Sequence, residues 1–202
     1  MFADEQSQIS ADQRSFAQPS AVISVPRLGI VLIGHGSPAL DCPPQLIGEL
    51  MSLEWRPNHG GQHPHRPEGR AAELDATIRN WPRRADNDPY KRGIEQLAEA
   101  LRPLLPTGRF AIGYNEFCRP SIAEAVGQVV AQGAVRVLVI PTMLTPGGVH
   151  SEVDIPRTLD EVRRVHPAVA IEYVWPFDLQ DVARLLASHL TRVAHATSTA
   201  GG

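Results

Sequence analysis

The chain has 202 residues, with 19 Lys and Arg against 22 Asp and Glu and a net charge of −3. Its basic residues are scattered, with Arg83-Arg84, Lys91-Arg92 and Arg163-Arg164 as isolated doublets, so it carries no electrostatic footprint for nucleic acid. The length suits one domain with a sizeable core, or one domain plus a long insertion.

Residues 1–26 are rich in Gln, Ser, Ala and Asp, lack helical or strand periodicity, and read as a flexible tail. Asp4 and Glu5 come early and no apolar core region follows, so this is not a secretory signal. No apolar run approaches the length of a membrane span, and the expectation is a soluble, cytoplasmic protein. Leu28 to Ile33 then form an apolar run ended by Gly34-His35-Gly36-Ser37. Such a run, closed by glycines, reads as a strand buried on both faces. In an open parallel sheet, ligands sit beyond the carboxyl ends of the strands, which is where His35 falls.

Residues 39–88 are far longer than the usual strand-to-helix loop of about two to six residues, and read as an insertion. Two helices are expected inside it. One follows Pro43-Pro44 over Gln45 to Trp55, with Leu46, Ile47, Leu50, Met51 and Leu53 apolar. The other follows Pro67 over Glu68 to Trp81, with Ala71, Leu74, Ile78 and Trp81 on one face. Between them His59, His63 and His65 lie in a Pro/Gly-rich stretch. A metal tract is one reading of these histidines; a solvated loop in which they are incidental is the preferred one. Trp55, Trp81 and Trp175 are expected to fill packing rather than to stack on a ring.

Asp88 and Pro89 are a good N-cap and first helical residue for a helix with Ile94, Leu97, Ala98 and Leu101 inward, stopped by Pro103. Phe110 to Tyr114 is a short second strand. Pro120 opens a helix with Ile122, Val126, Val129 and Val130 on one face, closed by Gly133. Arg136 to Pro141 is a third strand, the one expected to be most buried. Asp154 is expected to cap the next helix, with Leu159 and Val162 inward. Ala170 to Val174 is a fourth strand. Asp178 caps a last helix with Leu179, Val182, Leu186, Leu190 and Val193 inward, and residues 197–202 read as a flexible end. The alternation predicts an α/β domain over residues 27–196: a four-stranded parallel flavodoxin-like sheet, single repeat, with right-handed crossovers and helices on both faces. Cys42 and Cys118 belong to no C-x-x-C pair and imply neither a disulfide framework nor a zinc ribbon.

His35, Glu116 and His150 each follow a different strand. In a 2-1-3-4 strand order these strands are neighbours at about 4.8 Å. Two imidazoles and a carboxylate at one sheet edge can bind a divalent first-row metal and accept protons near neutral pH. Ser37 is the alternative centre, a hydrolase nucleophile, but G-H-G-S lacks the G-x-S-x-G elbow.

These segments resemble the CbiX/SirB-type sirohydrochlorin chelatases, small class II chelatases. The matching residues are Gly34-His35-Gly36-Ser37, Glu116 with Arg119-Pro120-Ser121-Ile122, and Gly147-Gly148-Val149-His150-Ser151-Glu152-Val153-Asp154-Ile155-Pro156. The Gln132-Gly133-Ala134 spacing before the third strand also fits. The resemblance covers about 27–38 and 89–192 and leaves out the insertion. It implies insertion of cobalt, iron or nickel, as a substrate ion, into a sirohydrochlorin-type tetrapyrrole for cobalamin, sirohaem or the methanogen nickel cofactor. No tightly bound cofactor is implied. His35 and His150 would handle the metal, with Glu116 as proton acceptor or third ligand. Backbone amides of Gly36, Ser37, Gly147 and Gly148 would meet substrate carboxylates. Single-repeat members pair as homodimers, so a homodimer is expected. The rival reading is a non-catalytic metal- or tetrapyrrole-binding protein that uses the same crevice for storage or delivery.

Overall fold

A computed structural model describes residues 27–54 and 67–199. The expected N-terminal tail, Trp55 and the three insertion histidines lie outside the described residues.

β1 (Leu28–Gly34) is buried along its whole length. It is the second strand of a four-stranded sheet of order β2-β1-β3-β4, with β2 at Phe110–Tyr114, β3 at Arg136–Pro141 and β4 at Ala170–Tyr173. All three pairings are parallel, as the strand-helix alternation predicts. α3 (Pro89–Leu101) follows the insertion, α4 (Ile122–Ala131) links β2 to β3, and α5 (Ile155–Val165) links β3 to β4.

The period-two alternation of the strands divides the core. On one face Val31, Ile33, Val137 and Val139 pack with Ile122, Val126 and Val129 of α4 and Ile155, Leu159 and Val162 of α5. On the other, Leu28, Ile30 and Leu32 pack with Ile94 and Ala98 of α3, together with Phe110 and Tyr114. Each such aliphatic side chain contributes about 1.5–3 kcal/mol by leaving water. Gly29 is required for α4 to approach β1, because a Cβ there would stand 2.9 Å from Val129 Cβ.

Three expectations are corrected. β3 is not the most buried strand; its exposure alternates, because Leu138 and Ile140 face the less covered side. Leu97 points outward, 47% exposed, beside the buried Ala98. In α6 (Leu179–Thr199) only Val182 of the expected inward set is buried. Leu179, Leu186, Leu190 and Val193 are 49–68% exposed, since α6 follows the edge strand β4 and no described element covers that face. No helix among the described residues is long and apolar enough to cross a membrane.

The insertion carries α1 (Pro44–Glu54) and α2 (Arg70–Arg79). Ala39, Cys42, Leu50, Leu74 and Ile78 form a third, small core, with Leu46, Ile47, Leu53, Ala71 and Trp81 against it. Met51, expected with that set, is 56% exposed. Both cysteines are free and buried. Asp88 caps α3 as expected, accepting from Lys91 N at 2.9 Å. Ser121 and Glu124 form a reciprocal capping box at the start of α4.

Candidate active site

The ladder of β1 and β2 continues past the strand ends and sets the site. Asn115 N donates to Gly34 O at 3.0 Å and Glu116 N donates to His35 O at 2.8 Å, so the two side chains emerge together. Tyr90 Oη on α3 accepts from His35 N at 2.8 Å. Gly36 has φ +95°, and a Cβ on it would stand 1.9 Å from Glu116 O, so the two loops touch through a residue without a side chain. On the other side Thr142 N donates to Ile33 O at 2.9 Å and carries the β1–β3 pairing into the loop that leads to His150.

His150 opens a π-helical turn, His150–Asp154, that runs into α5. Wide turns of this kind recur at functional sites. Side-chain donor atoms of His35, Glu116 and His150 lie within 4.8 Å of one another. Glu116 Oε2 is 3.9 Å from His35 Nε2, and its Oε1 is 3.5 Å from His150 Nδ1. The imidazoles meet edge to face, with ring centres 4.6 Å apart. All three side chains are partly exposed, at 38%, 31% and 26%, so the cluster faces a solvent-accessible crevice.

The histidines are held differently. His35 Nδ1 is 2.7 Å from Gly36 O, to which it donates, and Nε2 is turned toward Glu116. His150 Nδ1 is 2.8 Å from Asp154 Oδ2. That hydrogen bond is the main cause of a raised His150 pKa; the charges of Glu116 and Asp154 add to it, and burial opposes it.

Asp154 thus does not cap α5. It has helical backbone angles and makes no capping hydrogen bond, and its carboxylate fixes the His150 ring instead. The four-residue spacing of His150 and Asp154 at the start of a helix was the available signal, because such pairs share a face. Asn115, whose amide is 3.2 Å from the same His150 nitrogen, and Tyr90 carried no comparable signal.

Of the residues expected to meet substrate carboxylates, Gly147 N already donates to Glu152 Oε1 at 2.6 Å. Gly148 O accepts from Ser151 Oγ at 3.1 Å. Ser37 Oγ donates to Pro38 O at 3.3 Å, an arrangement without the base a nucleophile needs. Two imidazoles and one carboxylate with open positions can hold a first-row dication without caging it.

The fold is thus a parallel sheet with, at its carboxyl edge, a His-Glu-His cluster whose donor atoms are close enough to hold one metal ion. The CbiX family model matches residues 85–193, more than half of the chain, and the chain belongs to the CbiX family. It is 40% identical over 70 residues to the sirohydrochlorin cobaltochelatase of Priestia megaterium, covering 35% of this chain and 22% of that protein. It is also 40% identical over 81 residues to the sirohydrochlorin cobaltochelatase of Methanocaldococcus jannaschii, covering 39% of this chain and 54% of that one. The chain therefore spans about half or less of these curated relatives. Among solved structures it is similar to the sirohydrochlorin chelatase SirB from Bacillus subtilis subspecies spizizenii in complex with cobalt, at 17% identity and TM-score 0.43 over 74% of this chain and 43% of that one. SirB from Bacillus subtilis with Fe3+ matches at 19% identity and TM-score 0.45, over 74% of this chain and 40% of that one.

Proposed function

We propose that this protein is a metal chelatase that inserts a divalent ion, cobalt, iron or nickel, into a sirohydrochlorin-type tetrapyrrole during synthesis of a cobalamin- or sirohaem-type cofactor. The observation that carries this reading is the His35-Glu116-His150 cluster, three donor groups within 4.8 Å at the open edge of the sheet. The chemistry is an exchange: the macrocycle gives up two N–H protons and takes one dication. An open set of two imidazoles and a carboxylate holds a dication weakly enough to release it, unlike a closed four-ligand site. His35 and His150 hold the ion in this reading, and Glu116, with one oxygen toward each imidazole, accepts a proton as the macrocycle is metallated. Gly36 and Ser37 lie at the same edge and form the wall for the tetrapyrrole. Gly147 and Gly148 are assigned to that wall too, where the Gly147 N–H also serves Glu152. A cytoplasmic location belongs to the same reading.

We also propose a homodimer. The apolar face of α6, which no described residue covers and where Leu186 is 55% and Leu190 68% exposed, supports it. A second copy of the chain would supply a cover for that face.

The deciding measurement is an absorbance scan of purified protein with sirohydrochlorin and cobalt(II) or iron(II). The expected result is many turnovers per protein, with His35→Ala and His150→Ala each losing most of the rate while staying folded. Stoichiometric capture of metal or tetrapyrrole without turnover would replace the enzyme with a binding or delivery protein.

A further inference from the structure

The insertion is joined to the loop that carries Glu116 by a set of hydrogen bonds that the family resemblance does not anticipate. Arg83, just after α2, donates from Nη1 to Ser37 O at 2.7 Å and to Asp88 Oδ2 at 2.5 Å. From Nη2 it donates to Phe117 O at 2.5 Å and Ile78 O at 3.3 Å. One planar guanidinium thus holds the backbone after His35, the backbone after Glu116 and the end of α2. Arg79 adds Nη2 to Asn115 O at 2.9 Å and Nη1 to Cys118 O at 3.4 Å. Arg119 Nη1 returns a bond to Asn80 Oδ1 at 2.9 Å. The carbonyls on both sides of Glu116 are therefore fixed by side chains of the insertion.

Packing points the same way. Phe117 has φ +59°, a left-handed conformation that costs a bulky L-residue energy and persists only when its surroundings enforce it. Its ring packs against the third core, the one built by the insertion. Arg83 Nε is buried with no hydrogen-bond partner among the described residues.

We infer that the described part of the insertion, residues 39–54 and 67–88, is a brace, with Arg83 and Arg79 as positioning residues and Phe117 as the anchor that sets Glu116 against His35 and His150. The brace rests on the chelatase reading of that cluster. Lys cannot replace Arg83, because a single ammonium group does not reproduce the fork that spans Ser37 O and Phe117 O. Arg83→Lys keeps a charge beside Asp88 and so preserves the buried ion pair.

The test measures cobalt(II) affinity of the protein alone, from the visible absorption of the bound ion, alongside kcat and KM for metal insertion and the thermal midpoint. Arg83→Lys and Arg79→Gln are expected to remain folded and to weaken cobalt binding by about 10- to 100-fold, the usual cost of losing an outer partner of a metal site. They are also expected to lower kcat more than they change the KM for the tetrapyrrole. In a Glu116→Gln background the Arg83→Lys change should add little, because its effect passes through Glu116. Unchanged cobalt affinity and kcat in folded Arg83→Lys, or fully additive losses in the double variant, would overturn the brace. If Arg83→Lys does not fold, Arg79→Gln and Phe117→Ala carry the same comparison. A wild-type protein that binds cobalt but inserts none would remove the chelatase reading, while the affinity measurements would still decide the brace.

Discussion

Gly36→Ala is the sharpest perturbation of the contact between the His35 and Glu116 loops. The new methyl carbon would stand 1.9 Å from Glu116 O, where an ordinary C···O contact is about 3.3 Å, so the loops must part by about 1.4 Å. A φ of +95° adds the left-handed penalty of an L-residue, about 1–2 kcal/mol. Parting the loops also breaks the bond from Glu116 N to His35 O, another 0.5–1.5 kcal/mol or about that. The expected loss is about 1.5–3.5 kcal/mol, a fall in Tm of about 3–14 °C for a chain of this size. Activity should suffer more, since a catalytic group misplaced by about 1 Å can cost about 100-fold. The assay is thermal unfolding by circular dichroism, with the initial rate of cobalt insertion into sirohydrochlorin measured on the fraction that is folded. Gly93→Ala is the control: this glycine lies inside α3 with nothing within 4 Å of a new Cβ, and should gain about 0.5–1 kcal/mol. Wild-type Tm and rate in Gly36→Ala would refute the close approach of the two loops.

Asp154→Asn should lower the His150 pKa toward 6.5, because the carboxylate is the main cause of its elevation; an NMR titration of the metal-free protein reads this directly. A raised folded-state pKa means that this pair's stabilisation is complete below pH 6.5 and is lost as pH rises through the folded value, so Asp154→Asn should destabilise more at pH 5.5 than at pH 9; equal losses at both would count against the pair. Leu159→Ala, at a fully buried position of the α4–α5 face, should cost about 2–5 kcal/mol in urea unfolding, and a loss below 1 kcal/mol or so would contradict that packing. Leu186→Glu with Leu190→Glu should leave the monomer folded and shift sedimentation from dimer to monomer; an unchanged dimer would move the interface off α6.

The strands were legible because each is a short apolar run closed by a turn, and the parallel order followed from their alternation with helices. The placement of His35, Glu116 and His150 followed from the same rule, that loops after neighbouring parallel strands open onto one edge. What escaped was set by tertiary partners. Asp154 looks like a helix cap in sequence, but the π-helical turn gives it helical angles and a histidine to hold. Leu186 and Leu190 have the spacing of an inward face, and spacing cannot report that no described element lies opposite. The bonds from Arg79 and Arg83 to the His35 and Glu116 loops span 34–46 residues and end on backbone carbonyls, which leave no pattern in side-chain types.

The wide turn at His150 reaches further than the histidine. In an ordinary α-turn the Ile155 amide would take the Ser151 carbonyl; here it bonds His150 O instead. The Ser151 carbonyl is left to accept from Tyr173 Oη at 2.9 Å. Tyr173 lies on β4, a strand from which none of the three cluster residues comes, so the sheet's outer edge is tied to the turn by the extra residue. Deleting one residue between Gly148 and Pro156 would restore the α-turn and swing His150 by about 100° around the helix axis. Chain length across this turn is therefore as much a part of the site as the residues in it, and transplanting His150 and Asp154 onto a regular helix would not reproduce it.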